Sequence, residues 1–214
     1  MDIWTRIPLL TFIGNTAKLT IIVTLLQLFT SSFAAYAFAK LNFKGKKVLF
    51  LGYIATIALP WQAYMVPQFM MMRSWGLNNT HLAIILLQAF SAFGVFLMKQ
   101  FYEGVPTELC EAARIDGLSE YGIWARIMLP LSKPAISTLV IFTFVSTWND
   151  FLGPLIYLTK TELKTIQIGL RMFISQYSAE YGLIMAASVV TLIPVLIVFL
   201  SLQKYSCRAS RPPA

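Results

Sequence analysis

Long apolar runs recur along this 214-residue chain, and they narrow its fold more than any other feature. Crossing about 30 Å of hydrocarbon takes roughly 20 residues of helix, and a soluble domain has no use for several such segments. The runs lie at about 11–38, 48–72, 81–98, 134–158 and 181–202. Charged residues make up 12% of the chain, against about 25% in an ordinary soluble domain. Backbone polar groups in lipid must be satisfied within their own segment, so each run is expected to be helical. The predicted fold is an all-α polytopic membrane protein with about five transmembrane helices plus cytoplasmic helices. No Gly/Ser linker, low-complexity tract or repeat divides the chain, which reads as a single domain over 1–214.

The breaks between runs are informative. Asn15 and Lys18 interrupt the start of the first run, and Ser31, Ser32, Ala34, Ala35 and Ala37 give its end a surface that allows close helix packing. Residues 40–47 carry four lysines and are expected to form a water-exposed loop. Pro60 and Pro67 should kink or break the second run. Residues 73–80 form a polar turn, and 159–180 is mixed. Residues 99–133 hold five of the nine acidic residues and form the one candidate for a folded cytoplasmic element.

Positive charges set the expected orientation. Lys40, Lys44, Lys46, Lys47, Lys99, Arg114, Arg126, Lys133, Lys204, Arg208 and Arg211, eleven in all, fall on one side of five alternating spans. Arg6, Lys18, Arg73, Lys160, Lys164 and Arg171, six residues, fall on the other. The eleven-charge side, with the C-terminus, is therefore expected to be cytoplasmic. That places the amino terminus outside, although Asp2, Arg6 and Pro8 leave the first ten residues without the apolar core of a signal peptide. A preceding helix would reconcile the two, so the sequence is expected to be a shortened form of a six-helix protein. The formal net charge of +8 follows from the same bias, and its lysines and arginines form no stripe suited to nucleic acid.

The segment that carries function is Glu111-Ala-Ala-Arg-Ile-Asp-Gly117, followed after nine residues by Ile127-Met-Leu-Pro130. Pro106 and Thr107 suit a helix start, Asp116-Gly117 a helix stop, and Ser119 the cap of a second helix. In the first helix Leu109, Ala112 and Ala113 are expected to share an apolar face, with the paired alanines giving a low surface for a partner's groove. Glu108 and Glu111 would remain available to basic groups. In the second helix Ile123, Trp124, Ile127 and Met128 recur at spacings of three and four, a pattern for packing against the spans.

These residues resemble the EAA signature of binding-protein-dependent ABC importers: Glu-Ala-Ala, three residues, Gly, nine residues, then Ile-x-Leu-Pro. Asn15-Thr-Ala, Ala34-Ala-Tyr-Ala-Phe-Ala-Lys40, Pro67, Trp75-Gly-Leu77, Trp148-Asn-Asp-Phe151 and Met185-Ala-Ala-Ser188 are similar to the MalG-type permeases of carbohydrate importers. The resemblance implies a cytoplasmic coupling loop over 103–130. In it Glu111, Ala112, Ala113, Asp116 and Gly117 would meet an ATPase, and Ile127, Leu129 and Pro130 would anchor the following span. It further implies a second homologous permease, an ATP-binding cassette dimer that holds the ATP and Mg, and an extracellular solute-binding protein, all at a bacterial cytoplasmic membrane. Family members usually have six helices and a Gly-rich tail; here Gln203-Lys-Tyr205 runs into Ser-Cys-Arg-Ala-Ser-Arg-Pro-Pro-Ala214.

Asp150 is the one carboxylate inside a run, where ionisable groups normally face protein or a wet path. With Trp148 and Asn149 it reads either as lining a sugar pathway or as a structural hydrogen-bond cluster. His81 reads as an interface marker, Met70, Met71 and Met72 as apolar bulk, and Cys110 and Cys207 as incidental, with no metal-ligand or disulfide spacing. Neither a nucleophile elbow nor a phosphate-binding loop is present, and Gly45-Lys-Lys47 does not qualify as one, so no catalytic site is expected. Rival readings are an importer of glycerol phosphate, amino acids or peptides, a secondary transporter or channel, and a non-transporting membrane scaffold.

Overall fold

The computed structural model describes residues 8–172 and 181–206, and every regular element among them is helical. Arg6, Cys207, Arg208, Arg211 and the rest of the tail lie outside the described residues. In chain order the elements are α1 (Leu9–Lys40), α2 (Lys46–Ala55), α3 (Trp61–Ser74), α4 (His81–Gln88), α5 (Ala92–Glu103), α6 (Glu108–Ile115), α7 (Glu120–Ile123), α8 (Lys133–Trp148), α9 (Leu152–Tyr157), α10 (Ile166–Met172) and α11 (Tyr181–Ser206). A π turn, Trp124–Met128, continues α7.

Leu9–Lys40, His81–Glu103 and Met185–Lys204 are long and apolar enough to cross a membrane, and up to five spans result if each of two bent helix pairs counts as one. The helical class agrees with the sequence reading, and its five spans are reached if both bent pairs cross; the break expected at Pro60 is present, whereas those inside the third and fourth runs were not expected. The second run breaks after α2 and a short 3-10 turn, Thr56–Ala58. Leu59 is extended (φ −84°, ψ 114°), as expected of a residue pushed out of the helical region by the proline that follows. Pro67, by contrast, lies inside the unbroken α3.

The third run is interrupted at residues 89–91. The break is capped on both sides: Thr30 Oγ1 donates to the Ala89 carbonyl at 2.8 Å, and Ser91 Oγ accepts from the Gly94 N–H at 3.0 Å. Such side-chain partners let non-helical backbone persist at membrane depth. The fourth run ends as a helix at Trp148 and restarts at Leu152.

The chain forms two compact units. One comprises residues up to Thr24, Gln62–Gln88 and Ile141–Ser201. In it Leu9 and Phe12 of α1 pack against Ile166 of α10. Asn15 Nδ2 donates to the carbonyls of Glu162 and Lys164 at 2.7 and 3.0 Å, and Thr16 Oγ1 accepts from the Ile166 N–H at 2.9 Å. Polar residues near the start of α1 therefore fasten the connection that leads into α10. Asn79 (φ +59°) accepts at its side-chain oxygen from the N–H groups of Thr159 and Lys160. His81, expected to mark an interface, is buried with Nε2 2.9 Å from the Leu163 carbonyl.

The second unit, built mainly from Leu25–Trp61 and Ala89–Val140, holds the larger core. Ala35 and Tyr36 of α1, Met98 and Tyr102 of α5, Cys110 and Ala113 of α6, and Leu139 of α8 meet there. The small residues at the end of α1 permit a close crossing: a Cβ placed on Gly94 would stand 2.4 Å from Ser31 Oγ.

Candidate functional site

Residues 103–130 fold as two short helices separated by a glycine reversal, as the spacing implies. α6 begins after Thr107, which makes no side-chain cap, and carries Glu108 and Glu111 in its first turn and Arg114 in its last. That charge order complements the helix dipole. At its end the Leu118 N–H reaches the Ala113 carbonyl and the Gly117 N–H reaches the Arg114 carbonyl, both at 3.0 Å. This pair of bonds is the Schellman closure, which requires a left-handed residue just past the helix. Gly117 supplies it at φ +83°. Ser119 then caps α7 by accepting from the Gly122 N–H at 3.3 Å.

The faces of α6 differ from the expectation in one respect. Leu109, Ala112 and Ala113 do not share an apolar face. Ala113 turns inward beside Cys110 into the core, whereas Leu109 and Ala112 are exposed with Glu108 and Glu111. Cys110 sits one turn ahead of Ala113 and Arg114 and takes the inner position, with its sulfur 3.8 Å from that of Met128. Burial pushes the Cys110 thiol up, so it serves as a small apolar residue. The outward surface therefore runs Glu108, Leu109, Glu111, Ala112 and Ile115, and Ile115 is 86% exposed.

The backing of this surface is buried in the core. Ile123 and Met128 are fully buried, and Trp124 and Ile127 pack against the same core. Trp124 meets Phe29 and Phe33 of α1 edge-on at 5.6 and 5.5 Å. Pro130 lacks an N–H and its ring crowds the carbonyl four residues back. The helix ahead of it widens into the π turn, in which the Leu129 N–H reaches the Trp124 carbonyl. Ser132 Oγ donates to the Leu129 carbonyl at 3.0 Å, and there the chain bends by 82° into α8. Ile127 and Leu129 are half-buried and Pro130 is exposed.

A polar clamp that the sequence reading missed ties this hairpin to α1. Arg114 donates from Nε to Glu120 Oε1 at 2.6 Å and from Nη2 to Oε2 at 3.2 Å. Tyr36 of α1 donates its hydroxyl to the same carboxylate. One turn further along α1, Lys40 Nζ donates to the Val105 carbonyl at 2.5 Å. Tyr36 and Lys40 therefore hold both the second helix of the hairpin and the segment leading into the first. The hydrogen bonds from Arg114 and Tyr36 hold the Glu120 carboxyl below its ordinary range, and donating to that carboxylate raises the Arg114 guanidinium above its own. The signal available in sequence was an Arg and a Glu six residues apart across a glycine turn.

The second candidate group lies in the other unit. Trp148 is 2% exposed, with its Nε1 donating to the Thr191 carbonyl at 3.0 Å and its ring stacked on Phe144. Asp150 Oδ2 accepts from Gln88 Nε2 at 2.7 Å, and Oδ1 from the Gly153 N–H at 3.2 Å. Asn149 is exposed and accepts at Oδ1 from Gln167 Nε2 at 3.1 Å. The three neighbours thus divide: Trp148 ties α8 to α11, Asp150 stitches the broken α8–α9 connection, and Asn149 is exposed.

Residues 27–211 match the family described as binding-protein-dependent transport system inner membrane component. The chain is 37% identical over 195 residues to the arabinooligosaccharides transport system permease protein AraQ of Halalkalibacterium halodurans, covering 91% of this chain and 70% of that protein. It is 36% identical to the lactose transport system permease protein LacG of Rhizobium radiobacter, covering 89% and 70%. Among solved structures, a chain of a bacterial ABC transporter involved in the import of the acidic polysaccharide alginate superposes with a TM-score of 0.85 at 27% identity, covering 95% of this chain and 77% of that one. With a helical membrane architecture, an intact EAA hairpin and these relatives in agreement, the chain belongs to the binding-protein-dependent transport system inner membrane component family, the multi-pass permeases of ABC importers.

Proposed function

We propose that this permease carries a sugar or oligosaccharide across the cytoplasmic membrane by alternating access, driven by ATP hydrolysed in a separate subunit. The observation that carries the reading is the exposed face of α6, Glu108, Leu109, Glu111, Ala112 and Ile115, mounted on a buried and clamped base. An exposed helix face with charged residues on a buried, hydrogen-bonded base suits a docking element better than a lipid-facing one. The partners in this reading are an ATPase dimer at α6, a second homologous permease and an extracellular solute-binding protein.

Closure of the ATPase dimer would move α6, and the Tyr36 and Lys40 contacts would pass that motion to α1. The eleven-charge side, which includes the hairpin, would face the cytoplasm. Carbohydrate cargo is favoured by the arabinooligosaccharide and lactose permeases among the relatives. In this reading Asn149, which accepts from Gln167, would meet a hydroxyl-rich cargo, and the buried Trp148 and Asp150 would position it.

The test is uptake of labelled oligosaccharides by cells that carry the neighbouring transporter genes, comparing the parent chain with Gly117→Asp. Uptake by the parent and its loss in the variant, with membrane insertion unchanged, is the expected result. Equal uptake by both chains would remove the hairpin from the mechanism.

A further inference from the structure

Next to the hairpin, within the same unit, a half-open cleft of ≈ 770 Å³ lies between α2, the end of α1 and α5. Its walls are of two kinds. Phe43, Phe50 and Leu51 form an apolar side, and Lys46, Lys47 and Asn42 form a polar rim. Lys99 and Glu103 also line it, but they neutralise each other through an ion pair of 2.6 Å. Lys99 further lies over the Phe50 ring, 4.4 Å from its centre. The rim is therefore left with two uncompensated positive charges, Lys46 and Lys47. An ammonium has three donors. Lys46 directs its own at the carbonyls of Leu41 and Ala39, at 2.9 and 3.4 Å, which leaves one. Lys47 is exposed, and neither its side chain nor that of Asn42 has a hydrogen-bond partner among the described residues.

Outside the cleft the apolar side does not end. Val48 and Leu51 at its edge are strongly exposed, and Leu49, outside the lining, extends the exposed apolar surface along α2. A ligand matching both parts needs an anionic head of phosphate size and an apolar tail that leaves the cleft along a helix face. In a membrane protein that description fits a lipid, and basic clefts between helix ends are where anionic headgroups bind. We infer that this cleft is a binding site for an anionic phospholipid, its phosphate held by Lys46, Lys47 and Asn42 and an acyl chain lying along Val48 and Leu51. The inference rests on the membrane assignment and is independent of the cargo.

The site is tested on the full chain purified in mild detergent, titrated separately with phosphatidylglycerol and phosphatidylcholine and read by native mass spectrometry. Phosphatidylglycerol should bind in preference. Lys47→Gln should weaken it about five-fold, the worth of one basic contact at an anionic surface, and Lys46→Gln with Lys47→Gln should weaken it further. Lys44→Gln, in the turn just ahead of α2 but outside the cleft, should leave binding within two-fold of the parent, about the scatter of such a titration, and so separates a site from general surface charge. Each variant is first shown to keep the parent's melting temperature. Equal binding of both lipids, an equal loss in Lys44→Gln, or full displacement by excess inorganic phosphate would each overturn the proposal. So would a cleft closed to lipid by a second copy of the chain or another subunit in the same preparation.

Discussion

Gly94→Ala is the substitution whose effect can be worked most directly from the packing. The added Cβ would stand 2.4 Å from Ser31 Oγ and 3.1 Å from both Ser31 Cβ and Leu139 Cδ1, well inside the roughly 3.5–4.0 Å at which carbon atoms rest. Overpacking of this kind costs about 1–3 kcal/mol. Replacing glycine by alanine inside a helix returns about 0.8–1.0 kcal/mol. The net loss is therefore about 1 kcal/mol, or about 2–4 °C in melting temperature for a chain of this length. Ser31 supplies the control. Its hydroxyl is buried and has no partner among the described residues, so Ser31→Ala alone should be neutral or stabilising. It should also recover most of the loss in the double variant, because the 2.4 Å contact disappears. Cys110 is fully buried in the same core. In a Cys207→Ser background its reaction with a thiol-sensitive dye on heating reports unfolding of this unit. Strictly additive single effects, or a Gly94→Ala chain more stable than the parent, would refute the close crossing of α1 and α5.

Further consequences concern the hairpin. Tyr36→Phe removes one donor to the Glu120 carboxylate and should speed hydrogen exchange over α6 and α7 several-fold, since a bond to a charged group is worth about 1.5–3 kcal/mol before screening at this half-exposed carboxylate. Paired with Glu120→Gln its effect should be non-additive, and additivity would mean that the two groups do not interact. The Glu120 carboxyl is held below its ordinary range in the fold, so its contribution is present above the unfolded value of about 4.3 and is lost as pH falls through the lower folded value. Exchange protection of the hairpin should thus be flat from pH 7 to about 5 and fall below about 4. A fall already at pH 6 would contradict that. Gly117→Ala places a side chain at φ +83° with nothing within 4 Å of its Cβ, so the cost is strain alone, about 1–2 kcal/mol. The melting temperature should drop by a few degrees, whereas Ala112→Ser at the exposed position should leave it unchanged.

The hairpin was legible in sequence because its signals are local. A glycine past a helix end, a serine cap and a proline each act through their own backbone, and Gly117, Ser119 and Pro130 behave as their types dictate. The apolar runs likewise announced helices, since hydrocarbon admits little else. The assignment of Ala113 was legible only in part. Leu109, Ala112 and Ala113 do lie on neighbouring positions of a helix, but the inward direction is set by contact with α5 and α7, which no periodicity within eight residues reveals. The breaks at 89–91 and 149–151 were hidden for the converse reason. At 89–91 the sequence is apolar enough to continue a helix, and it is Thr30, 59 positions away, that satisfies the Ala89 carbonyl; at 149–151 the polar pair Asn149-Asp150 sits at the break, and Asp150 accepts both from Gln88, 62 positions away, and from the nearby Gly153 N–H. The clamp from Tyr36 to Glu120 joins residues 84 positions apart and had no local signature at all.

The central claim is that α6 is the surface on which the ATPase acts. Its most direct measurement is capture of the ATPase subunit by the membrane-inserted chain, comparing the parent with Ile115→Glu, a change at an 86% exposed position that leaves the core untouched. Capture by the parent and its loss in the variant, with unchanged melting temperature, is the expected result. Equal capture by both chains, or none by a properly inserted parent, would contradict the account.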